Sequence, residues 1–330
     1  MKKKILVFLF FLCSWFFISA QVTEKRTVKL MGSRFDITIA AGSEVRARDA
    51  VNKAIAEIQR IEKCISSWDA NSETSQINRN AGIQPVKVSK ELFELIQRSL
   101  QVSAVTGGAF DISFASIDKV WYFDGRMTQM PSEESIKASV EKVGYKNIVL
   151  NTDEQTVFLK LPGMKIGFGA IGKGYAADKV RTLMKEMGIP AGIINASGDL
   201  TTWGYQPDGT EWKVGITNPL NQNKVFSWFP VVEAAVATSG NYEKYVVLNG
   251  KKYTHIIDPR TGYPASGLVS VTVFAKSAEL CDALATAIFI MGTQSGIHMI
   301  DQLPGIECVL VDENNKIHTS KNIQLNPANP

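Results

Sequence analysis

Val246-Val247-Leu248-Asn249-Gly250-Lys251-Lys252-Tyr253-Thr254-His255-Ile256-Ile257 decides the fold class. Asn-Gly between two β-rich runs is the strongest short hairpin signal, because both residues tolerate the positive φ of a two-residue turn. The second run ends in a histidine and enters Asp258-Pro259-Arg260-Thr261-Gly262-Tyr263-Pro264. A turn needs the prolines and the glycine, but not a His, an Asp, an Arg and a Thr so close together. The segment reads either as a polar hairpin end or as a loop that carries chemistry on a rigid scaffold.

Hairpins recur outward from this point. Residues 27–40 read as two short strands broken at Met31-Gly32-Ser33, and residues 147–150 with 156–160 as another hairpin. Short strands are expected at 192–194, 234–237 and 268–275. Residues 45–65 carry Val51, Ile55, Ile58, Ile61 and Ile65 at helical spacing. A second helix over 91–105 follows Ser89 as N-cap and ends at Gly107-Gly108. Helices are also expected over 173–187, stopped by Gly188 and Pro190, and over 278–291. Residues 66–82, rich in Ser and Asn, read as a polar loop. Hairpins outnumber strand–helix–strand units, so the fold class is α+β: one compact domain with a mostly antiparallel or mixed sheet and flanking helices.

The chain has 330 residues, 45% of them hydrophobic, enough for a real core. Residues 1–20 stand apart. Lys2, Lys3 and Lys4 precede an apolar run over 5–18, and Ser19-Ala20 offers a small-residue cleavage site before Gln21. This is the pattern of an export signal, leaving residues 21–330 as the mature domain. The apolar run falls short of the roughly 20 residues a membrane span needs. Cys13 follows Phe11-Leu12, and the absence of a small residue before it argues against a lipid-modified cysteine. Removing the three lysines leaves 33 basic against 32 acidic residues, a net charge of +1, which makes no case for nucleic acid. Cys64, Cys281 and Cys308 lack disulfide or zinc spacing and are expected as buried apolar thiols.

Gly167-Phe168-Gly169-Ala170-Ile171-Gly172-Lys173-Gly174 precedes a helix and matches two patterns incompletely. Gly167, Gly169 and Gly172 fit the dinucleotide fingerprint; Gly167, Gly172 and Lys173 fit a phosphate loop, with Gly174 where Ser or Thr would hold magnesium. It is either a phosphate-facing helix start or a tight packing turn. Asp282 and Thr286 share a helix face, hard oxygen donors that suit Mg²⁺; the plain alternative is a back-bonded Thr and an Asp in the first turns. Asn195-Ala196-Ser197-Gly198-Asp199 and Thr238-Ser239-Gly240-Asn241-Tyr242 each follow a short strand. Gly107-Gly108-Ala109-Phe110-Asp111 sets an aromatic beside a carboxylate, and Trp68 is a stacking platform or a partly buried packing residue.

In this order the motifs resemble the ApbE-type FAD:protein FMN transferases. The resemblance rests on Met31 to Phe35, Ser72-Glu73 with Asn78, Gly108 to Asp111, Gly169 to Asp178, Asn195 with Gly198-Asp199, Thr238 to Gly240, His255 to Pro264 and Asp282 to Thr286. Each segment is weak alone; the ordered set is specific and runs over about residues 27–310. The resemblance implies an exported, periplasmic and often membrane-anchored α+β enzyme. It implies FAD as substrate, Mg²⁺ as cofactor, and transfer of FMN through a phosphoester bond to a threonine of an acceptor flavoprotein, with AMP released. The acceptor would be the FMN-binding subunit of a membrane redox complex or similar.

By motif position the resemblance implies that Met31, Trp68, Ala109, Phe110, Asp111, Lys173 and Ile256 touch FAD. It likewise implies that Asp282, Thr286 and the carbonyls of Ala170 and Ala285 surround the metal, and that His255 assists catalysis, as base toward the incoming hydroxyl. Lys173 and the amides of Gly172-Lys173-Gly174 would add positive potential at the pyrophosphate. Three positions depart from the pattern: Gly167 replaces an Asp, Ser197 a Gly, and Ala285 a second carboxylate. Two other readings use the same residues: an FAD pyrophosphatase, with water in place of threonine, and a non-catalytic flavin-binding protein.

Overall fold

The computed structural model describes residues 21–218, 221–241 and 244–323; the expected export signal lies outside them. In chain order the elements are β1 (Val22–Leu30), β2 (Ser33–Ala41), α1 (Glu44–Ile65), α2 (Glu73–Arg79), β3 (Val86–Lys87) and α3 (Lys90–Val105). Then come α4 (Glu133–Ser139), β4 (Ile148–Asn151), β5 (Thr156–Leu159), α5 (Gly172–Glu186), β6 (Ala191–Ala196), β7 (Asp199–Trp203), β8 (Trp212–Asn218) and β9 (Asn221–Val231). The last third holds β10 (Ala235–Gly240), β11 (Tyr245–Leu248), β12 (Lys251–Thr254), β13 (Leu268–Ala275), α6 (Ala278–Met291), α7 (Thr293–Ile300), β14 (Glu307–Asp312) and β15 (Ile317–Thr319).

Eight strands form the main sheet in the order β1-β2-β6-β7-β10-β13-β14-β15. Each pairing along it is antiparallel. The α+β class and the antiparallel character expected from the hairpins therefore hold. Strand alternation sorts side chains onto two faces. Along β2, Phe35, Ile37, Ile39 and Ala41 join the main core, whereas Ala40 faces the other way. Helices α1, α5 and α6 pack on the first face. The β8–β9 hairpin brings Trp212, Val214 and Val231 against Ala40, Ala191, Leu200 and Val236 on the second. One face of the sheet is thus left to build the helix layer that carries the site.

The helices begin where their caps dictate. Ser43, Ser89 and Ser277 each accept a hydrogen bond from the backbone N–H three residues on, as an N-cap does. The expected loop over 66–82 instead contains α2, capped by Ser72. Its buried residues are Thr74, Ser75 and Ile77, and a single apolar residue makes no periodicity. The Asn249-Gly250 turn forms as read, with φ of 52° and 75°. Its strands make a separate two-stranded ribbon, not part of the main sheet, and β12 stops at Thr254 rather than at Ile257. The ribbon rests on a small satellite core of Trp121, Ile136, Val246 and Leu248, with Trp121 stacked on Tyr253 at 5.5 Å.

Candidate functional site

Helices α5 and α6 approach at their N-termini because Gly174 has no side chain. A Cβ there would lie 2.1 Å from the carbonyl oxygen of Ala278, a backbone atom that cannot step aside. Gly172 is held less strictly: a Cβ would meet the Ile65 Cδ1 methyl at 2.9 Å, a side-chain end that can shift. The glycine-rich run is therefore a packing turn. Neither nucleotide pattern applies: the segment before α5 is not a strand, and the sheet it packs on is antiparallel. The Gly174 amide, expected to add to the potential at a phosphate, donates instead to Asp282 Oδ2 at 3.2 Å.

That close crossing brings Lys173 on α5 to Asp282 on α6, with Nζ 3.5 Å from Oδ2. Lys173 also pairs with Asp199, which opens β7. Both carboxylates are almost enclosed, with 5–6% of their side-chain surface exposed. Burial works against the ammonium, but Asp282 and Asp199 outweigh it and hold the Lys173 pKa well above the ordinary lysine range. Two carboxylates facing one ammonium leave an excess of one formal negative charge. Thr286 lies one turn beyond Asp282, and its hydroxyl is 3.3 Å from that of Ser239 on β10. Asp282, Thr286 and Ser239 at the cleft wall make an all-oxygen donor set with residual negative charge, which fits Mg²⁺, and Ala170 lines the same wall. Among the described residues no group of three or more His, Cys, Asp or Glu side chains converges on a metal position. Any metal here would thus rest on one or two carboxylates plus hydroxyls, carbonyls and its other ligands, the usual habit of Mg²⁺.

These groups form one end of a cleft of about 470 Å³. Its walls include Ala109, Phe110, Asp111, Ala170, Lys173, His255, Ile256, Asp282 and Thr286, so nine of the twelve expected site residues converge on one cavity. His255 stands on the ribbon side. Its backbone N–H and its ring Nδ1 both lie 3.1 Å from the Lys244 carbonyl oxygen. A carbonyl only accepts, so Nδ1 is the donor in this contact and Nε2 is the ring nitrogen left to serve as a base when the ring is neutral. The loop beyond is self-contained: Arg260 donates to both Asp258 oxygens at 2.9 and 2.8 Å, and Trp121 Nε1 donates to the Gly262 carbonyl at 2.9 Å. Asp258 and Arg260 serve the turn.

Asp111 lines the cleft, but its oxygens are committed. Oδ1 accepts from the Ser113 amide at 2.7 Å and hydroxyl at 2.6 Å, and Oδ2 from the Tyr145 amide at 2.7 Å. Burial raises its pKa, with those hydrogen bonds opposing the rise. It caps the short helical turn Ile112–Ser116 and ties it to Tyr145. Met31, Trp68 and Ala285 are not cleft-wall residues. Met31 sits in the β1–β2 turn against the Gly172 position. The Trp68 side chain is free of packing, with the residue 95% exposed. Ala285 is fully buried, its methyl in the main core. Sequence reasoning did not assign Asp199 or Ser239 a role; both lay inside quoted motifs, but only the sheet shows that they face Lys173 and Thr286. Of the three thiols, Cys281 and Cys308 are buried as expected, while Cys64 is half-buried.

Comparison with known proteins bears on the same cleft. A model of the ApbE family matches residues 31–310. The "FAD:protein FMN transferase" of Klebsiella pneumoniae (strain 342) is 31% identical over 290 residues, covering 87% of this chain and 89% of that protein. The protein of that name from Escherichia coli (strain K12) is 30% identical over 278 residues, covering 82% and 79%. The crystal structure of the ApbE protein of Thermotoga maritima superimposes with a TM-score of 0.83 at 30% identity, over 91% of this chain and 97% of that one. The apo flavinyl transferase ApbE of Pseudomonas stutzeri gives 0.80 at 26% identity, over 91% and 95%. With a family match across most of its length and a shared fold, the chain belongs to the ApbE family.

Proposed function

We propose that this chain is an FAD:protein FMN transferase that joins FMN to a threonine of an acceptor protein and releases AMP. One observation carries the reading: a buried lysine between two carboxylates, with a hydroxyl one turn beyond, shares a cleft with a histidine whose proton is drawn to Nδ1. Phosphoryl transfer asks a protein mainly for positioning and charge stabilisation, and this cleft supplies both. The acceptor oxygen bonds to the FMN-side phosphorus, the bond from that phosphorus to the bridging oxygen breaks, and AMP carries that oxygen away. His255 Nε2 takes the hydroxyl proton. Lys173 faces the negative charge on the pyrophosphate. Mg²⁺, held by Asp282, Thr286 and the Ala170 carbonyl, would neutralise pyrophosphate charge.

Relatives of this chain carry names that state FMN transfer, which supports the reading. The basic–apolar–small pattern of residues 1–20 supports action outside the cytoplasm, in the periplasm. Among the described residues no helix is long and apolar enough to cross a membrane. The test is incubation with FAD, Mg²⁺ and a candidate flavoprotein subunit, followed by intact-mass analysis. A mass gain of one FMN less one water, lost when the target threonine is replaced by valine, is expected. AMP and free FMN without modified protein would instead establish a pyrophosphatase.

A further inference from the structure

The N-terminus of α6 is fastened from outside the cleft. Asp178, on the second turn of α5, accepts at Oδ2 from the Ser277 hydroxyl at 2.8 Å and from the Glu279 amide at 3.0 Å. Ser277 is itself the N-cap of α6, accepting from the Leu280 amide at 3.2 Å. Asp178 Oδ1 lies 3.1 Å from Arg181 Nη2, and only 15% of the Asp178 side chain is exposed. A second clamp closes the same turn from α3, where Arg98 donates to both Glu279 oxygens at 2.7 and 3.0 Å. Asp282 follows one turn later. A sub-ångström slide of α6 along α5 would change the Lys173–Asp282 separation, and both groups are nearly buried, so the electrostatic consequence is large.

Gly174 sets how near the two helices come, but contact alone leaves α6 able to slide or turn. Asp178 removes that freedom by reading two donors of the α6 first turn with one carboxylate oxygen. We propose that Asp178 is a positioning residue of the transfer site. It touches no substrate, and it fixes the register of Asp282 against Lys173. The inference rests on the assignment of Asp282 to the reaction.

The test compares Asp178→Ala and Asp178→Asn with wild type, scoring AMP release at saturating FAD so that the result stands whether the acceptor is threonine or water. Asparagine keeps an acceptor oxygen at the same reach; alanine keeps none. Asp178→Ala should lower kcat by about tenfold to a hundredfold with KM for FAD changed less than about twofold, since misplacement by about 1 Å costs that much. Mg²⁺ binding to the FAD-free protein, read by calorimetry, should weaken in parallel, and Asp178→Asn should recover most of both. Wild-type kcat in Asp178→Ala overturns the inference. So does an asparagine variant as impaired as the alanine one, or a kcat loss that simply tracks a fall in Tm and FAD affinity. Should Asp178→Ala fail to fold, Ser277→Ala, which removes one of the two donors, must show the same kcat-only loss in smaller measure; an unchanged kcat there also overturns it.

Discussion

The two sides of the cleft are built to different standards. The Lys173–Asp199–Asp282 side stands on three elements of the main core and is locked by buried charge, a helix crossing without side chains between, and the Asp178 clamp. The His255 side stands on a two-stranded ribbon over a satellite core of four buried residues. An isolated ribbon of that kind is marginal by itself, so its order is borrowed from Trp121 and the Asp258–Pro264 turn. The difference teaches what each side is for. Charge stabilisation tolerates little movement, because its effect depends on preorganisation. A base that must meet a hydroxyl from a second macromolecule is better placed on a lighter element.

Substitutions on the two sides should therefore fail differently. The largest effect belongs to Asp282→Ala, expected to lower transfer by about 10³-fold or more, the several kcal/mol a lost metal ligand implies, in a protein that still folds. Transfer at the wild-type rate in Mg²⁺-replete buffer would remove the assignment. His255→Ala should cost about 10²- to 10³-fold, within the span general bases supply. FAD should still bind, and the deficit should narrow as pH rises and the acceptor hydroxyl needs less help. If saturating FAD restores the rate and Tm falls in step, His255 braces the turn and is no base.

Gly174→Ala tests the crossing and not the chemistry. Its Cβ would press on a backbone carbonyl, so a loss of about 2–3 kcal/mol in stability is expected, seen as a lower denaturant midpoint. A wild-type midpoint would show that α5 and α6 part easily. The smallest effect concerns the Glu91 cluster linking α3 to α1 and α5. Hydrogen bonds from Arg60 hold the Glu91 carboxyl down at about 2, against burial and with help from the Tyr175 hydroxyl. The folded pKa lies below the unfolded value of about 4.3, so the stabilisation is complete above about pH 5 and is lost as pH falls toward 2. Glu91→Gln should lower Tm slightly at pH 7, by the equivalent of about 1 kcal/mol or less, and flatten the acid limb of a Tm–pH series. An unchanged acid limb would mean that another carboxylate governs it.

Much of the scaffold was legible. The helix expected over 278–291 is α6, Ala278–Met291, and the β11–β12 turn came from Asn249-Gly250. Helix α2 was not legible, since Ile77 is the one apolar residue among the three it buries. The Lys173–Asp282 pair escaped direct reading because its members sit on different helices, and only the resemblance joined them. Asp199 looked like the end of a turn; it is the first residue of a strand whose register aims it at Lys173. Spacing along a chain predicts which residues share one element's face. It says nothing of two elements that meet, and the charged side of this cleft is made entirely of such meetings.

The helix crossing at Gly174 also has a consequence in time. Gly174 and Asp282 are 108 residues apart along the chain, and the segment between them holds four neighbouring strands of the main sheet, β6, β7, β10 and β13, and two separate ribbons. Contacts of such range form slowly, because the loop-closure entropy is spent before they repay it. Until they form, Lys173 and the two aspartates stay in water, where separate charges cost nothing. The ion cluster is therefore expected to form late in folding, and a half-folded chain lacks the charged cluster on which the site depends.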